Sequence, residues 1–205
     1  MLFRSCCQQL KVMGVHQDGG MCEYISVNPN FIVAGNELGT DALTIVEPLS
    51  IGAHAVSRAN VQSRDLVLVI GAGPIGIGTA FFARKKGANV IIVDPIQSRL
   101  NFCSENLDLE GVIHGTTTDA QDHLMQRFKN RLPDIIFEAT GNLAAVEGTL
   151  PLLAHGGTIV LVGLQKQNFS FNHPEFHKRE TTLLSSRNAI REDFDCVLDS
   201  LRSGS

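Results

Sequence analysis

The run Leu66-Val67-Leu68-Val69-Ile70-Gly71-Ala72-Gly73-Pro74-Ile75-Gly76 joins five apolar residues directly to the spacing G-x-G-x-x-G. A strand that enters a glycine-rich turn and continues as a helix forms a cradle for phosphate, because the helix's first N–H groups and positive dipole end face the turn. Each glycine has its own use there. Gly71 permits a turn that a Cβ would obstruct, Gly73 lets a pyrophosphate approach the backbone, and Gly76 lets the helix lie close to the strand. An apolar stretch over 77–83 supplies the helix, and a second apolar strand over 89–93 ends at Asp94. The offset 94 − 76 = 18 is close to the ~20 residues at which a carboxylate meets the adenosine ribose of a dinucleotide.

A carboxylate that accepts hydrogen bonds from a ribose 2′-hydroxyl repels a 2′-phosphate, so Asp94 favours NAD over NADP. Arg99, five residues on, has several readings: pairing with Asp94, contacting the ribose, binding a 2′-phosphate, or standing in solvent on the following helix. Two alternatives compete for the glycines themselves. One is a plain turn in an α/β sheet, and the other is a methyltransferase. The latter usually carries an acid near the first glycine, and residues 66–70 contain none.

A chain of 205 residues that is 43% hydrophobic buries one good core with a partial second unit attached. The formal charge of −4 gives no basic face for nucleic acid or an anionic membrane, and Lys129, Arg131 and their neighbours are too few to make a patch. Residues 66–83 carry no charge, but their glycines and Pro74 favour strand, turn and helix over a membrane span. The N-terminus has no apolar signal segment. Five scattered cysteines, Cys6, Cys7, Cys22, Cys103 and Cys196, argue against a disulfide framework and fit a reducing, cytoplasmic setting. Cys103 and Cys196 fall in helix-like stretches and are expected to be buried.

Residues 1–40 read as β-rich, with strands at 13–16, 21–27 and 31–33 around turns at Asp18-Gly19-Gly20 and Asn28-Pro29-Asn30. A helix interrupted at Glu47-Pro48 follows over 41–57. Strands at 66–70, 89–93, 111–113, 134–138, 157–162 and 181–185 then alternate with helices at 75–86, 97–106, 119–129 and 143–153, and a last helix spans 192–201. Strands separated by helices of this length predict a parallel sheet with right-handed crossovers.

Further blocks carry a family resemblance: Gly14-Val15-His16-Gln17-Asp18-Gly19-Gly20, Glu47-Pro48-Leu49-Ser50, Glu138-Ala139-Thr140-Gly141, Gly156-Gly157-Thr158 and the run from Pro174 to Thr182. With the Gly71–Gly76 turn they resemble the zinc-type alcohol dehydrogenases of the medium-chain dehydrogenase/reductase superfamily, almost end to end. Ser186-Arg187-Asn188-Ala189 and Asp193-Phe194 are similar to the polyol and sugar-acid branch, the sorbitol and L-galactonate 5-dehydrogenase-like enzymes. The resemblance implies an α/β, Rossmann-type doubly wound parallel sheet over 41–205, preceded over 1–40 by a β-rich remnant of a GroES-like catalytic domain. It also implies an oxidoreductase that moves hydride between a secondary alcohol and NAD, with zinc polarising the alcohol oxygen.

By the same resemblance Gly71, Gly73, Pro74, Ile75 and Gly76 line the pyrophosphate, Asp94 and Arg99 the ribose, and Thr140 the edge where the dinucleotide crosses the sheet. Val162, Gly163, Ser186 and Asn188 lie by the nicotinamide. For Thr140, Ser186 and Asn188 turn capping is the alternative. Glu47 matches the family's position at the catalytic zinc and is the catalytic candidate, with a helix-start carboxylate as its other reading. Cys7 matches one cysteine of a four-cysteine structural zinc lobe. Their partner ligands are not in the sequence, and the segment 1–5 departs from the family's lead-in. The chain is therefore expected to be truncated at both ends and to hold no zinc, since a catalytic zinc takes three protein ligands. Two readings remain open: an oxidoreductase, or an inactive NAD-binding fragment.

Arg187 is suited to a sugar-acid carboxylate or to an ion pair with Glu192 or Asp193. His16 and Asp18 flank a Gly-Gly turn and read as loop stabilisers. His173 and His177 sit beside Pro174 in a predicted loop, without chemistry. Small molecules are the expected partners. The strands at 158–162 and 181–185 are expected near one sheet edge, where an uncovered edge, aided by apolar side chains exposed over 43–55, favours a homo-oligomer.

Overall fold

The computed structural model describes residues 4–128 and 131–204, so Lys129 and most of the 1–5 lead-in lie outside the described residues. Six parallel strands form one sheet: β1 Leu66–Ile70, β2 Asn89–Asp94, β3 Gly111–His114, β4 Ile135–Glu138, β5 Thr158–Leu161 and β6 Thr182–Ser185. Their order is β3-β2-β1-β4-β5-β6, the doubly wound arrangement in which the chain starts at the centre and reverses direction between β1 and β4. Register follows from the apolar runs, with Val67 opposite Val90 and Ile135, and Ile70 opposite Val93 and Glu138.

Among the described residues eight α-helices complete the fold: α1 Thr40–Thr44, α2 Val46–Arg58, α3 Pro74–Lys85, α4 Gln97–Asn106, α5 Thr117–Arg127, α6 Leu143–Glu147, α7 His173–Lys178 and α8 Arg191–Ser203. Because strand side chains alternate, Val67, Val69, Val90 and Ile92 face one core with α2, α3, α4 and α8. Leu66, Leu68, Ile70, Ile91 and Val93 face the other, against α5 and the 3-10 turn Leu150–Leu152. The full burial of β1 on both sides explains why its sequence does not alternate with polar residues.

Most expected elements form within one or two residues of their predicted bounds. The helix expected over 143–153 divides into α6 and the 3-10 turn, separated by Gly148 and Thr149. Pro48 falls in the first turn of α2, where a missing N–H breaks no helical bond, so that helix continues through it. The segment holding His173 and His177 is a helix instead of a loop. The Asn172 side chain caps it by accepting from the Glu175 N–H, and Pro174 sits in its first turn.

The three N-terminal strands do not form among the described residues. Residues 4–39 carry two 3-10 turns, Arg4–Cys6 and Pro29–Phe31, and one isolated bridge between Met13 and Gln17. A strand exists by pairing, and Met21, Tyr24 and Phe31 point into solvent without a neighbouring strand. Exposure over 43–55 is also narrower than expected. Leu43 and Ile45 are exposed, whereas Ala53 and Ala55 pack into the core. Cys103 is buried as expected, but Cys196 is exposed on α8.

Candidate functional site

The β1–α3 turn carries the backbone geometry that the glycines foretell. Gly71 adopts φ +102° and donates its N–H to the Val93 carbonyl at 2.8 Å, tying the turn to the end of β2. A Cβ at Gly76 would lie 1.8 Å from the Gly71 carbonyl oxygen, so only glycine brings α3 this close. A Cβ at Gly73 would meet nothing within 4 Å. Gly73 is the N-cap of α3, and Pro74 and Ile75 form its first turn, so this open space lies where the helix N-terminus presents its unpaired N–H groups.

Asp94 is 3% exposed at the end of β2. Its Oδ2 accepts the Ala72 N–H at 2.8 Å and its Oδ1 accepts the Ile96 N–H at 2.8 Å, joining the turns after β1 and β2. Of the readings open for Arg99, the structure shows the pair with Asp94, at 3.6 Å and with a half-exposed guanidinium. Each carboxylate oxygen keeps lone-pair capacity for a further donor. These groups border a cavity of about 510 Å³ lined by Gly71, Asp94, Ile96, Arg99, Thr116 and Thr140. Burial pushes the neighbouring Cys103 thiol up from its ordinary value, and the Asp94 charge acts in the same direction, so the thiol stays protonated.

A residue without an assigned role in the sequence organises the opposite wall. Glu138, fully buried at the end of β4, accepts from the Thr140 N–H at 2.8 Å, from the Thr140 hydroxyl, and from the Gly141 N–H at 3.2 Å. Thr140 Oγ in turn accepts the Asn142 N–H at 2.9 Å. The capping alternative for Thr140 is thus realised, on the rim of the cavity. An acid closing an otherwise apolar strand, just before Thr-Gly, is the sequence signal that marked Glu138.

A second cavity of about 450 Å³ is lined by Ile51, Val162, Gly163, Ser186, Arg187 and Asn188. Ser186 donates its backbone N–H to the Leu161 carbonyl at 2.9 Å, yet its hydroxyl is buried without a partner. A buried hydroxyl left unpaired marks a place where a polar ligand group fits. Asn188 adopts φ +56° and donates its side-chain N–H to the Ser5 carbonyl at 2.8 Å, so its amide holds the N-terminal segment. Arg187 is exposed. Asp193, one of its two expected partners, is bound to His54 instead.

The metal candidates stand apart from these cavities. Glu47 is exposed in the first turn of α2, and Cys7 is a half-buried free thiol. Among the described residues no three His, Cys, Asp or Glu side chains are grouped to hold an ion, so the donors present do not fit zinc. His16 accepts the Val12 N–H on Nδ1 at 3.0 Å, in keeping with a loop-stabilising role.

A sheet of this order, with its glycine turn and two cavities beyond the strand ends, is shared by many nucleotide-binding proteins. The family model described as "Zinc-binding dehydrogenase" matches residues 74–203, well over half of the chain. The chain belongs to the zinc-binding dehydrogenase family. It is 42% identical over 190 residues to the L-galactonate-5-dehydrogenase of Escherichia coli K12, covering 93% of this chain and 56% of that protein. It is 30% identical over 201 residues to the 2-dehydro-3-deoxy-L-galactonate 5-dehydrogenase of Pseudoalteromonas atlantica, covering 97% of this chain and 58% of the other. A solved alcohol dehydrogenase of Escherichia coli CFT073, in complex with NADH, superposes with a TM-score of 0.88 at 28% identity, over 98% of this chain and 59% of that one. The chain therefore spans a little over half the length of these relatives. No helix among its described residues is long and apolar enough to cross a membrane.

Proposed function

We propose that this chain is the coenzyme-binding part of an NAD-dependent dehydrogenase that oxidises a secondary alcohol of a polyol or sugar acid. Residues 41–205 would form the NAD-binding domain, and residues 1–40 the edge of a catalytic domain. The observation that carries the reading is the open space at Gly73, on the N-terminus of a twelve-residue helix and beside a buried carboxylate at the end of the next strand. Gly71, Gly73, Pro74, Ile75 and Gly76 would receive the pyrophosphate, Asp94 and Arg99 the adenosine ribose, and Thr140 the crossing point. Val162, Gly163 and Ser186 would border the nicotinamide, with the unpaired Ser186 hydroxyl available to its amide. When bound, the nicotinamide supplies the acceptor or donor of hydride. The chain's own residues orient the dinucleotide and keep its reacting end against the cavity at 162–188. The names of the relatives support the sugar-acid class, and free cysteines throughout support a reducing cytoplasmic setting.

The test is a titration with NADH and NADPH, followed by nicotinamide fluorescence. NADH should bind more tightly by about tenfold or more, equivalent to ~1.4 kcal/mol, because Asp94 repels a 2′-phosphate. Asp94→Asn should narrow that gap. Equal affinities in the unaltered protein would overturn the assignment of Asp94.

The isolated, exposed Glu47 favours a second reading, in which the chain binds NAD but performs no hydride transfer by itself. Purified protein dialysed against micromolar zinc should hold less than one tightly bound ion per chain. Stoichiometric zinc that is lost in Glu47→Gln would refute this.

One of the two edges of the sheet is β6, whose Leu183 is 38% exposed. We propose that copies of the chain associate through this edge, since an unpaired strand edge is a template for further pairing. Sedimentation at tens of micromolar should show dimers or larger species, and Leu183→Lys should shift them toward monomer.

A further inference from the structure

We propose that His54 and Asp193 form a buried positioning pair that holds the loop 186–190 across the cavity at 162–188, and that binding of the nicotinamide end of the coenzyme depends on it. The inference rests on the NAD reading above and concerns one end of that site. His54 lies within α2 and Asp193 in the first turn of α8, 139 residues later. Their side chains are each 8% exposed, and Nδ1 lies 2.7 Å from Oδ2. The same Oδ2 accepts the Ile190 N–H at 2.8 Å. One carboxylate oxygen thus joins α2, α8 and the last residue of the loop.

The loop is fixed at its other end by the Ser186 N–H on the Leu161 carbonyl, and in its middle by Asn188 on Ser5. Between these anchors Ser186, Arg187 and Asn188 form one wall of the cavity. Ile51, three residues before His54 on the same helix, also lines this cavity. The His54–Asp193 bond therefore ties the helix that supplies Ile51 to the loop that supplies Ser186, Arg187 and Asn188. A carboxylate buried this deeply is stable only while its donors remain. An ionised Asp193 can only accept, so Nδ1 of His54 carries the shared proton. Loss of the His54 donor leaves Asp193 bound only to the loop backbone, free to rotate toward water and carry residues 186–190 with it.

The experiment compares two ligands on the whole chain: NADH, and ADP-ribose, which lacks the nicotinamide. His54→Phe removes the donor and keeps an aromatic ring of similar width. It should weaken NADH about tenfold and ADP-ribose less than twofold, the scale expected when one buried partner is lost. His54→Asn returns an N–H near the Nδ1 position and should bring NADH back to within about threefold of the unaltered protein. Should His54→Phe fail to fold, Asp193→Asn, which keeps an acceptor for Ile190, must show the same split between ligands. Equal loss for both ligands, or no change in either, would overturn the positioning role. If the unaltered protein binds neither ligand, the coenzyme reading fails and this proposal with it. If it binds both and only the predicted split is missing, the pair alone is refuted.

Discussion

Gly76→Ala is expected to destabilise the protein by about 3 kcal/mol or more, because overpacking against backbone cannot be relieved by turning a side chain. The new methyl would lie 1.8 Å from the Gly71 carbonyl oxygen, and moving α3 away to make room would open the turn that faces the proposed pyrophosphate. Thermal unfolding followed by circular dichroism should show a midpoint lower by roughly 6–12 °C, using ~2–4 °C per kcal/mol for a chain of this size. NADH binding should be lost with it. Gly73→Ala is the informative control, since its Cβ would enter open space. That variant should keep its midpoint and lose affinity for NADH. An unchanged affinity in Gly73→Ala would show that no ligand backbone approaches this turn.

Glu138→Ala is the second large effect. It strips the Thr140 and Gly141 donors of their acceptor and leaves a cavity at a fully buried position, a combination worth about 3–5 kcal/mol. Glu138→Gln keeps the shape and one acceptor oxygen, so its cost should be about 1–2 kcal/mol. Urea unfolding of the three proteins measures both. A Glu138→Ala variant within 0.5 kcal/mol of the unaltered protein would mean that the Thr140–Gly141 turn finds its acceptors elsewhere. Because Thr140 borders the larger cavity, a loosened turn should also weaken NADH.

The parts of the fold that were legible are those whose causes are local. A run of five apolar residues meeting Gly71 and Gly73 reads as strand and turn in any context, and the 18-residue step to Asp94 follows from one helix and one strand of ordinary length. The missed helix α7 was equally local. Asn172 three residues before Glu175, with Pro174 between them, is a cap signal that the proline's loop-like reputation obscured. Cys196 was misplaced for a related reason: helical position alone does not say which face is covered, and on α8 that face belongs to Val197 and Leu198.

The sequence by itself determined the strand–turn–helix unit, the alternation that makes the sheet parallel, and the acid that ends β2, because each is written within about 20 residues and rests on backbone sterics and hydrophobic period. Tertiary structure alone decided the rest. Residues 13–33 have strand-like composition but form no strand, because pairing requires a neighbour that the chain does not place beside them. Glu138 is visible in the sequence as an acid that closes an apolar strand, but its partners are set only once β4 is buried between β1 and β5 and the Thr140–Gly141 turn supplies its donors. His54 and Asp193 meet across 139 residues because α2 and α8 share one face of the sheet, and no periodicity encodes a contact whose geometry is set by packing two distant helices on a common core.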